Sequence, residues 1–278
     1  ATLHTCQFLE NQGYKIHYLN NDSQGFVDLN QLDGLISAQT LMVTLIWANN
    51  EIGTIQNVDA ISKICSKHRV VLHLDAVQVF GQLPIDVNTL HVDLLTLSAH
   101  KFYGPKGVGC LYKRKEIQMD ALIHGGSQEM GLRAGTEDLL GIIGFAKAAA
   151  LANKRLFVYH AHLLALSTSL LSHIRSSFPN VILNGPELGN QRLPGHLSLS
   201  FPDVLGYQLT YALDQRNVFT SIGSACNSKM IEPSHVLKAI DPSLDKVKGT
   251  IRISFGQDNR ISDIPFIVKA IQDALNQL

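Results

Sequence analysis

Charge is scarce in this sequence of 278 residues: Asp, Glu, Lys and Arg make up 17% of it, against 45% hydrophobic residues. Lys plus Arg and Asp plus Glu each total 23, so neither sign is in excess. Such a chain lacks the global electrostatic footprint of a nucleic-acid binder or of a protein held on an anionic membrane. No apolar run approaches the roughly 18–20 residues of a spanning helix, and the first residues carry no signal-peptide pattern. Cysteine is also sparse. Cys6, Cys65, Cys110 and Cys226 are far apart with no CxxC pair. That excludes a disulfide framework and a four-cysteine zinc site, and it fits a reducing compartment. The hydrophobic content excludes general disorder. The expected class is a soluble, cytoplasmic globular protein with one large domain or two modest ones.

What is present is an alternation of short apolar runs and amphipathic stretches. Leu41–Ala48, Val70–Ala76 and Val92–Ala99 each read as a buried strand, rich in Val, Leu and Ile. Between the first two, Val58, Ile61, Ile64, Cys65 and His68 fall at helical spacing, which makes a strand–helix–strand unit and hence a parallel sheet. Val108–Lys113 is a further strand. Thr136–Lys154 reads as a long Ala- and Leu-rich helix, followed by helices over Val158–Phe178 and Ile264–Leu278 and strands over His196–Phe201 and Thr250–Phe255. The expected fold is α/β, mainly parallel with flanking helices. A large domain spans 1–150, and a smaller α+β domain spans 151–278. Ala1–Asn11 has helical spacing at Leu3, Cys6 and Leu9, yet nothing caps it and no strand precedes it, so the chain is expected to begin inside an element.

Polar residues follow each apolar run. Asn49-Asn50-Glu51-Ile52-Gly53 ends the first, Asp75-Ala76-Val77-Gln78 the second and Ser98-Ala99-His100-Lys101 the third. In an open α/β sheet, ligands bind beyond the carboxyl ends of the strands. Three neighbouring parallel strands would point Asn50, Asp75, Gln78, Ser98, His100 and Lys101 into one crevice. A partly desolvated lysine forms a Schiff base with an aldehyde. An aspartate beneath a pyridine ring keeps the ring nitrogen protonated, and hydroxyl, imidazole and backbone N–H groups hold phosphate. Lysine, aspartate and phosphate donors together are what pyridoxal phosphate needs. Taken singly, each of these residues is more often a helix cap, a solvated charge or a satisfied core group; their order at successive strand ends is the specific signal.

With these motifs, and with Gly125-Gly126-Ser127-Gln128-Glu129-Met130-Gly131-Leu132-Arg133-Ala134-Gly135-Thr136, Ser224-Ala225-Cys226-Asn227-Ser228 and Glu232-Pro233-Ser234-His235-Val236-Leu237, the chain resembles the cysteine desulfurases. These are pyridoxal-phosphate enzymes of the class V aminotransferase group, here closest in motif to those serving iron–sulfur cluster assembly. The resemblance implies that Lys101 bonds the cofactor aldehyde and moves the substrate Cα proton, with His100 beside it. It implies that Asp75 pairs with the pyridine nitrogen and that Gln78 and Asn50 contact the phenolic-oxygen side. Ser98 and His100 would bind the phosphate, Thr136 would reach the phosphate of a partner subunit in a homodimer, and Arg252 would grip the substrate carboxylate. Cys226 would attack the sulfur of L-cysteine, keep it as a persulfide and release L-alanine. A scaffold or other sulfur-acceptor protein would be the partner. Cys226 would also be a transient iron–sulfur ligand; no other metal site is expected.

Gly223, Ser224 and Ser228 surround Cys226 with small, polar neighbours, as a loop that moves between two sites requires. Cys65 and Cys110, within helix and strand patterns, read as small buried hydrophobes, and Cys6 as structural. Some features depart from the family pattern. The portion that precedes Ala1 in the family supplies a phosphate-binding turn and a histidine stacked on the ring. The expectation is therefore a chain that is inactive or weakly active alone. Met130 replaces a usual arginine, Asn259-Arg260 a polar Thr pair, and His196 a commoner asparagine. A selenocysteine lyase, or a non-catalytic chain acting as a binding module, are the alternative readings.

Overall fold

Three of the apolar runs become adjacent parallel strands, as their patterning predicts. The computed structural model describes residues 1–222, 234–241 and 248–278, which fall into two compact units. The first comprises 1–16, 33–47 and 58–156, the second 17–32, 48–57 and 157–278. Residues 17–32 and 48–57 thus group with 157–278 rather than with the segments around them. These two short segments join the C-terminal unit through hydrogen bonds to it: Asn21 Nδ2 donates to the Ala239 carbonyl at 3.2 Å, and the Gly53 carbonyl accepts the Leu193 N–H at 2.8 Å.

In the first unit, helix α1 (Thr2–Asn11) precedes strand β1 (Met42–Ile46), helix α3 (Val58–His68), and strands β2 (Val71–Asp75), β3 (Leu94–Ser98) and β4 (Gly109–Lys113). The short helix α2 (Leu29–Leu35), not anticipated from the sequence, crosses the boundary between segments. The sheet order is β1-β2-β3-β4; β1, β2 and β3 run parallel, and β4 is antiparallel to β3. Helix α3 turns Val58, Ile61 and Cys65 inward at helical spacing and ends at Arg69, whose φ is +56°. The register sets Ile46 opposite Asp75 and Asp75 opposite Thr96, so β1 and β2 end level and β3 runs two residues further, to Ser98.

Helix α4 runs unbroken over Leu139–Ser177, where the sequence suggested two helices. No glycine or proline interrupts it after Gly144, and Lys154 and Arg155, where the first of the two was expected to end, are good helix formers. It stops just before the Phe178-Pro179 step, where the ring of proline disfavours a helical predecessor.

The second unit holds the antiparallel sheet β5-β6-β7, with β5 Ile182–Leu183, β6 His196–Ser200 and β7 Thr250–Ser254. Helices α5 (Gly206–Asp214), α6 (His235–Ile240) and α7 (Ile264–Gln277) belong to it; α5 and α6 were not anticipated. Every residue of β6 is buried. Its core packs Leu163, Leu166, Leu170 and Ile174 of α4 with Leu197, Leu199, Ile251, Leu213 and Ile271. Ser198, Ser200 and Thr250 are buried with them. They stay satisfied because Asn184 Nδ2 donates to both serine hydroxyls and Ser200 pairs with Thr250 at 2.6 Å.

Candidate active site

Asp75 is the last residue of β2, and its carboxylate accepts the Val77 N–H at 3.0 Å. That Asx turn folds the following residues back on themselves, with the Val79 and Phe80 N–H groups both on the Ala76 carbonyl. Gln78, half-buried, sits inside the turn. One strand over, Ser98 ends β3 and a single 3-10 turn, Ala99–Phe102, carries His100 and Lys101. Two buried residues pin that turn. Ala99 and Phe102 pack with Phe80, Phe145, Ala148 and Ala152, the Phe102 ring lying 4.8 Å from that of Phe80 and 5.2 Å from that of Phe145. His100 and Lys101 between them are left exposed.

The turn closes through a tight passage. The Gly104 N–H reaches the Ala99 carbonyl at 2.9 Å, and a Cβ on Gly104 would stand 2.8 Å from that of Ala99. Tyr103 is held in the left-handed region at φ +68°, with the Arg155 guanidinium 5.1 Å over its ring. Ser98 Oγ and His100 Nδ1 lie 2.8 Å apart. A hydroxyl, an imidazole and the N–H groups of a short turn form a set suited to a phosphate dianion. The carboxylate of Asp75 and the exposed amine of Lys101 stand at the ends of neighbouring strands. The donor set therefore fits pyridoxal phosphate. Thr136, exposed in the same unit, follows the Gly-rich stretch in which Ala134 N–H bonds the Ile123 carbonyl.

Sequence reasoning missed what lies beneath. His73, on the same face of β2 as Asp75, bridges two strands: Nδ1 lies 2.7 Å from Thr44 Oγ1 of β1 and Nε2 2.8 Å from Thr96 Oγ1 of β3. Burial lowers its pKa more than the nearby Asp75 raises it. A histidine within an apolar run looks like any core residue; only the register shows its two hydroxyl partners.

Asn50 and Arg252 form a second group, within the C-terminal unit. The Asn50 carbonyl accepts from Arg252 Nη1 at 3.1 Å and bonds His196 Nε2 at 2.9 Å. The loop bearing Asn50 is shaped by Asn49, whose Oδ1 caps the N–H groups of Glu51 and Ile52. Arg252 also exchanges both backbone hydrogen bonds with Ser221, upstream of Cys226. Cys226 itself, with residues 223–233, lies outside the described residues. Cys65 is fully buried as expected, and burial, its main cause, pushes the thiol up to about 11. Cys110, expected inside, is exposed instead because β4 is an edge strand with only β3 beside it. Among the described residues, no cluster of His, Cys, Asp and Glu is placed to hold a metal ion.

His196 is 7% exposed, and burial first, then Arg192 and Arg252, outweighs its bond to Asn50 and lowers its pKa to about 4. Between the ordinary 6.5 and that value the unfolded chain takes up a proton that the folded chain refuses. Stability is therefore full above pH 6.5 and is lost as pH falls towards 4, by about 3 kcal/mol for this group. The thermal midpoint is expected to fall over that window, and less steeply in His196→Asn; equal slopes in both proteins would contradict it.

The aminotransferase class-V family model matches residues 1–266, so the chain belongs to the class-V aminotransferase family, and its relatives place it among the cysteine desulfurases. It is 42% identical over 277 residues to the cysteine desulfurase IscS of Clostridium botulinum (strain Kyoto / Type A2), covering all of this chain and 70% of that one. A solved NifS-like protein superposes with TM-score 0.91 at 36% identity, over 99% of this chain and 72% of that one. SspA, solved in complex with cysteine, superposes with TM-score 0.75 at 34% identity, over 91% and 70%. Among the described residues, no helix is long and apolar enough to cross a membrane.

Proposed function

We propose that this chain is a pyridoxal-phosphate-dependent cysteine desulfurase that supplies sulfur for iron–sulfur cluster assembly. The observation that supports the reading is the pinned turn that follows β3, which carries Ser98, His100 and Lys101 at the end of the strand next to β2, where Asp75 stands, in a class-V chain. The bound cofactor supplies an electron sink at the amino-bearing carbon of the substrate. Asp75 would accept from the protonated ring nitrogen, Ser98 and His100 would hold the phosphate, and Gln78 and Asn50 would contact the ring's phenolic side. Lys101 Nζ anchors the cofactor and moves the proton at the substrate Cα. Arg252 takes the substrate carboxylate, a task that suits a guanidinium fork.

Cys226 then attacks the sulfur of L-cysteine as a thiolate. The new S–S bond forms as the Cβ–S bond breaks; the electron pair stays with carbon, which gains a proton and becomes the methyl of L-alanine. The persulfide on Cys226 passes to an acceptor protein, the iron–sulfur scaffold, and the same thiol serves as a transient cluster ligand there.

The large cofactor-binding part, 1–150, and the smaller part, 151–278, retain these two roles in the reading. A homodimer, with Thr136 reaching the partner's phosphate, is supported by apolar side chains left exposed on the first unit: Leu122, Met130, Leu139, Leu140 and Ile143. A cytoplasmic location is supported by the free thiols of Cys6, Cys65 and Cys110.

The test is direct. The purified protein with pyridoxal phosphate, L-cysteine and a thiol reductant is expected to form alanine and sulfide in equal amounts, though only weakly, as the sequence leads one to expect, and to sediment as a dimer. No alanine above the protein-free control would overturn the activity, and a monomer at micromolar concentration would overturn the assembly. L-Selenocysteine as sole effective substrate would move the chain to the selenium reaction.

A further inference from the structure

The Asn50 carbonyl is a single oxygen with two side-chain donors, His196 from the start of β6 and Arg252 from β7. A carbonyl only accepts, so the ring nitrogen facing it, Nε2, must carry the hydrogen. Nδ1 is then a bare lone pair, and among the described residues it is buried with no hydrogen-bond partner. A doubly protonated ring would aim a second N–H at nothing, next to two guanidinium groups.

The surroundings fix the ring in place. Arg192 is almost wholly buried, and its guanidinium bonds the Pro186 carbonyl at 2.5 Å, the Asn184 carbonyl and the His196 carbonyl at 3.5 Å. Gly53, at φ +78°, backs the ring: a Cβ there would stand 3.0 Å from Nδ1 and 3.3 Å from Arg192 Cγ. The backbone around Asn50 is further stapled to the 191–193 segment through the bonds Ile55 N–H to Gln191 carbonyl and Leu193 N–H to Gly53 carbonyl. The ring is therefore held on three sides, and its one polar contact made by a ring atom is with Asn50.

We propose that His196 is a positioning residue: as a permanently neutral Nε2–H tautomer it holds the Asn50 carbonyl and, through that shared oxygen, fixes the direction of the Arg252 guanidinium. Without the imidazole donor, the carbonyl's second lone pair turns to Arg252, the other side-chain donor on it among the described residues, and the fork swings from the place where a substrate carboxylate binds. This rests on the reading of Arg252 as the carboxylate-binding residue. The consequence is confined to carboxylate recognition: anchoring of the cofactor by Lys101 is untouched.

Two measurements test it on the full chain. In ¹⁵N-histidine-labelled protein, long-range ¹H–¹⁵N correlation, with His196→Asn to identify the signal, is expected to show the Nε2–H tautomer unchanged from pH 5.5 to 8. An Nδ1–H tautomer, or titration within that range, overturns the proposal. In the cofactor-loaded protein, L-alanine, which carries the carboxylate without the reactive sulfur, is expected to bind about tenfold more weakly in His196→Leu. In His196→Asn, which keeps an N–H donor, binding should return to within about threefold of the parent, with cofactor loading equal in all three. Parental affinity in His196→Leu, or equal loss in both variants, overturns it. Failure of the parent protein to turn over cysteine would fell the functional reading instead, while the tautomer result decides the role of His196 by itself.

Discussion

Lys101→Ala is expected to cut cysteine turnover by on the order of 10⁴-fold, the upper range for removing a positioned proton-transfer group. The size follows from the double duty of one amine: it anchors the cofactor and it moves the proton at the substrate Cα. The fold is expected to be indifferent to the change. Lys101 is exposed, and the turn that carries it is secured by its neighbours Ala99 and Phe102 rather than by the lysine. Unchanged thermal midpoint with lost turnover is the expected pair of results. Retained turnover would assign the amine elsewhere, and a collapsed midpoint would make Lys101 structural.

Cys226→Ala is expected to reduce persulfide formation and sulfide release to background while leaving cofactor binding and the thermal midpoint as they are. The other thiols are poor substitutes. At a pKa of about 11, Cys65 is a thiolate to about one part in 10⁴ at neutral pH, and it is buried. Burial also raises Cys110, with Glu129 adding to it, and Cys6, with Glu10 adding to it. A thiol-labelling experiment with a limiting alkylating agent gives the complementary result: Cys226 is expected to react first, and loss of sulfur release should track its modification. Sulfur release surviving in Cys226→Ala would place the acceptor sulfur on another residue.

Much of the first unit was legible in the sequence because its three parallel strands leave almost no residue fully exposed. Such strands read as continuous apolar runs, and the polar residues that break each run are the ones at the strand ends. Asp75 and Lys101 were visible for that reason. His73 was not, since its function as a bridge between Thr44 and Thr96 depends on which residues the register sets side by side. Cys110 misled for a related cause: apolar alternation does not say which strand lies at the edge. Helix α4 was read as two, ending at Lys154 and resuming at Val158, although no residue between them breaks a helix. His196 stood out as a departure from family pattern, but its partner, Asn50, is far away in sequence and only the fold joins them.

The same contrast separates the two groups of functional residues. The Asp75 and Lys101 group is built by short-range devices: an Asx turn, a 3-10 turn and two buried anchors within a few residues. The Asn50 and Arg252 group is built by long-range contacts between a loop and an antiparallel sheet, which no local pattern announces. Parallel strand ends are the more readable of the two because topology alone places them together.

The central claim is that Lys101 is the cofactor lysine. It is tested most directly by incubating the protein with pyridoxal phosphate, reducing with borohydride and mapping the modified peptide by mass spectrometry. One pyridoxyl group per chain on Lys101, absent in Lys101→Ala, is the predicted result. Labelling scattered over surface lysines, or equal labelling in Lys101→Ala, would contradict the account.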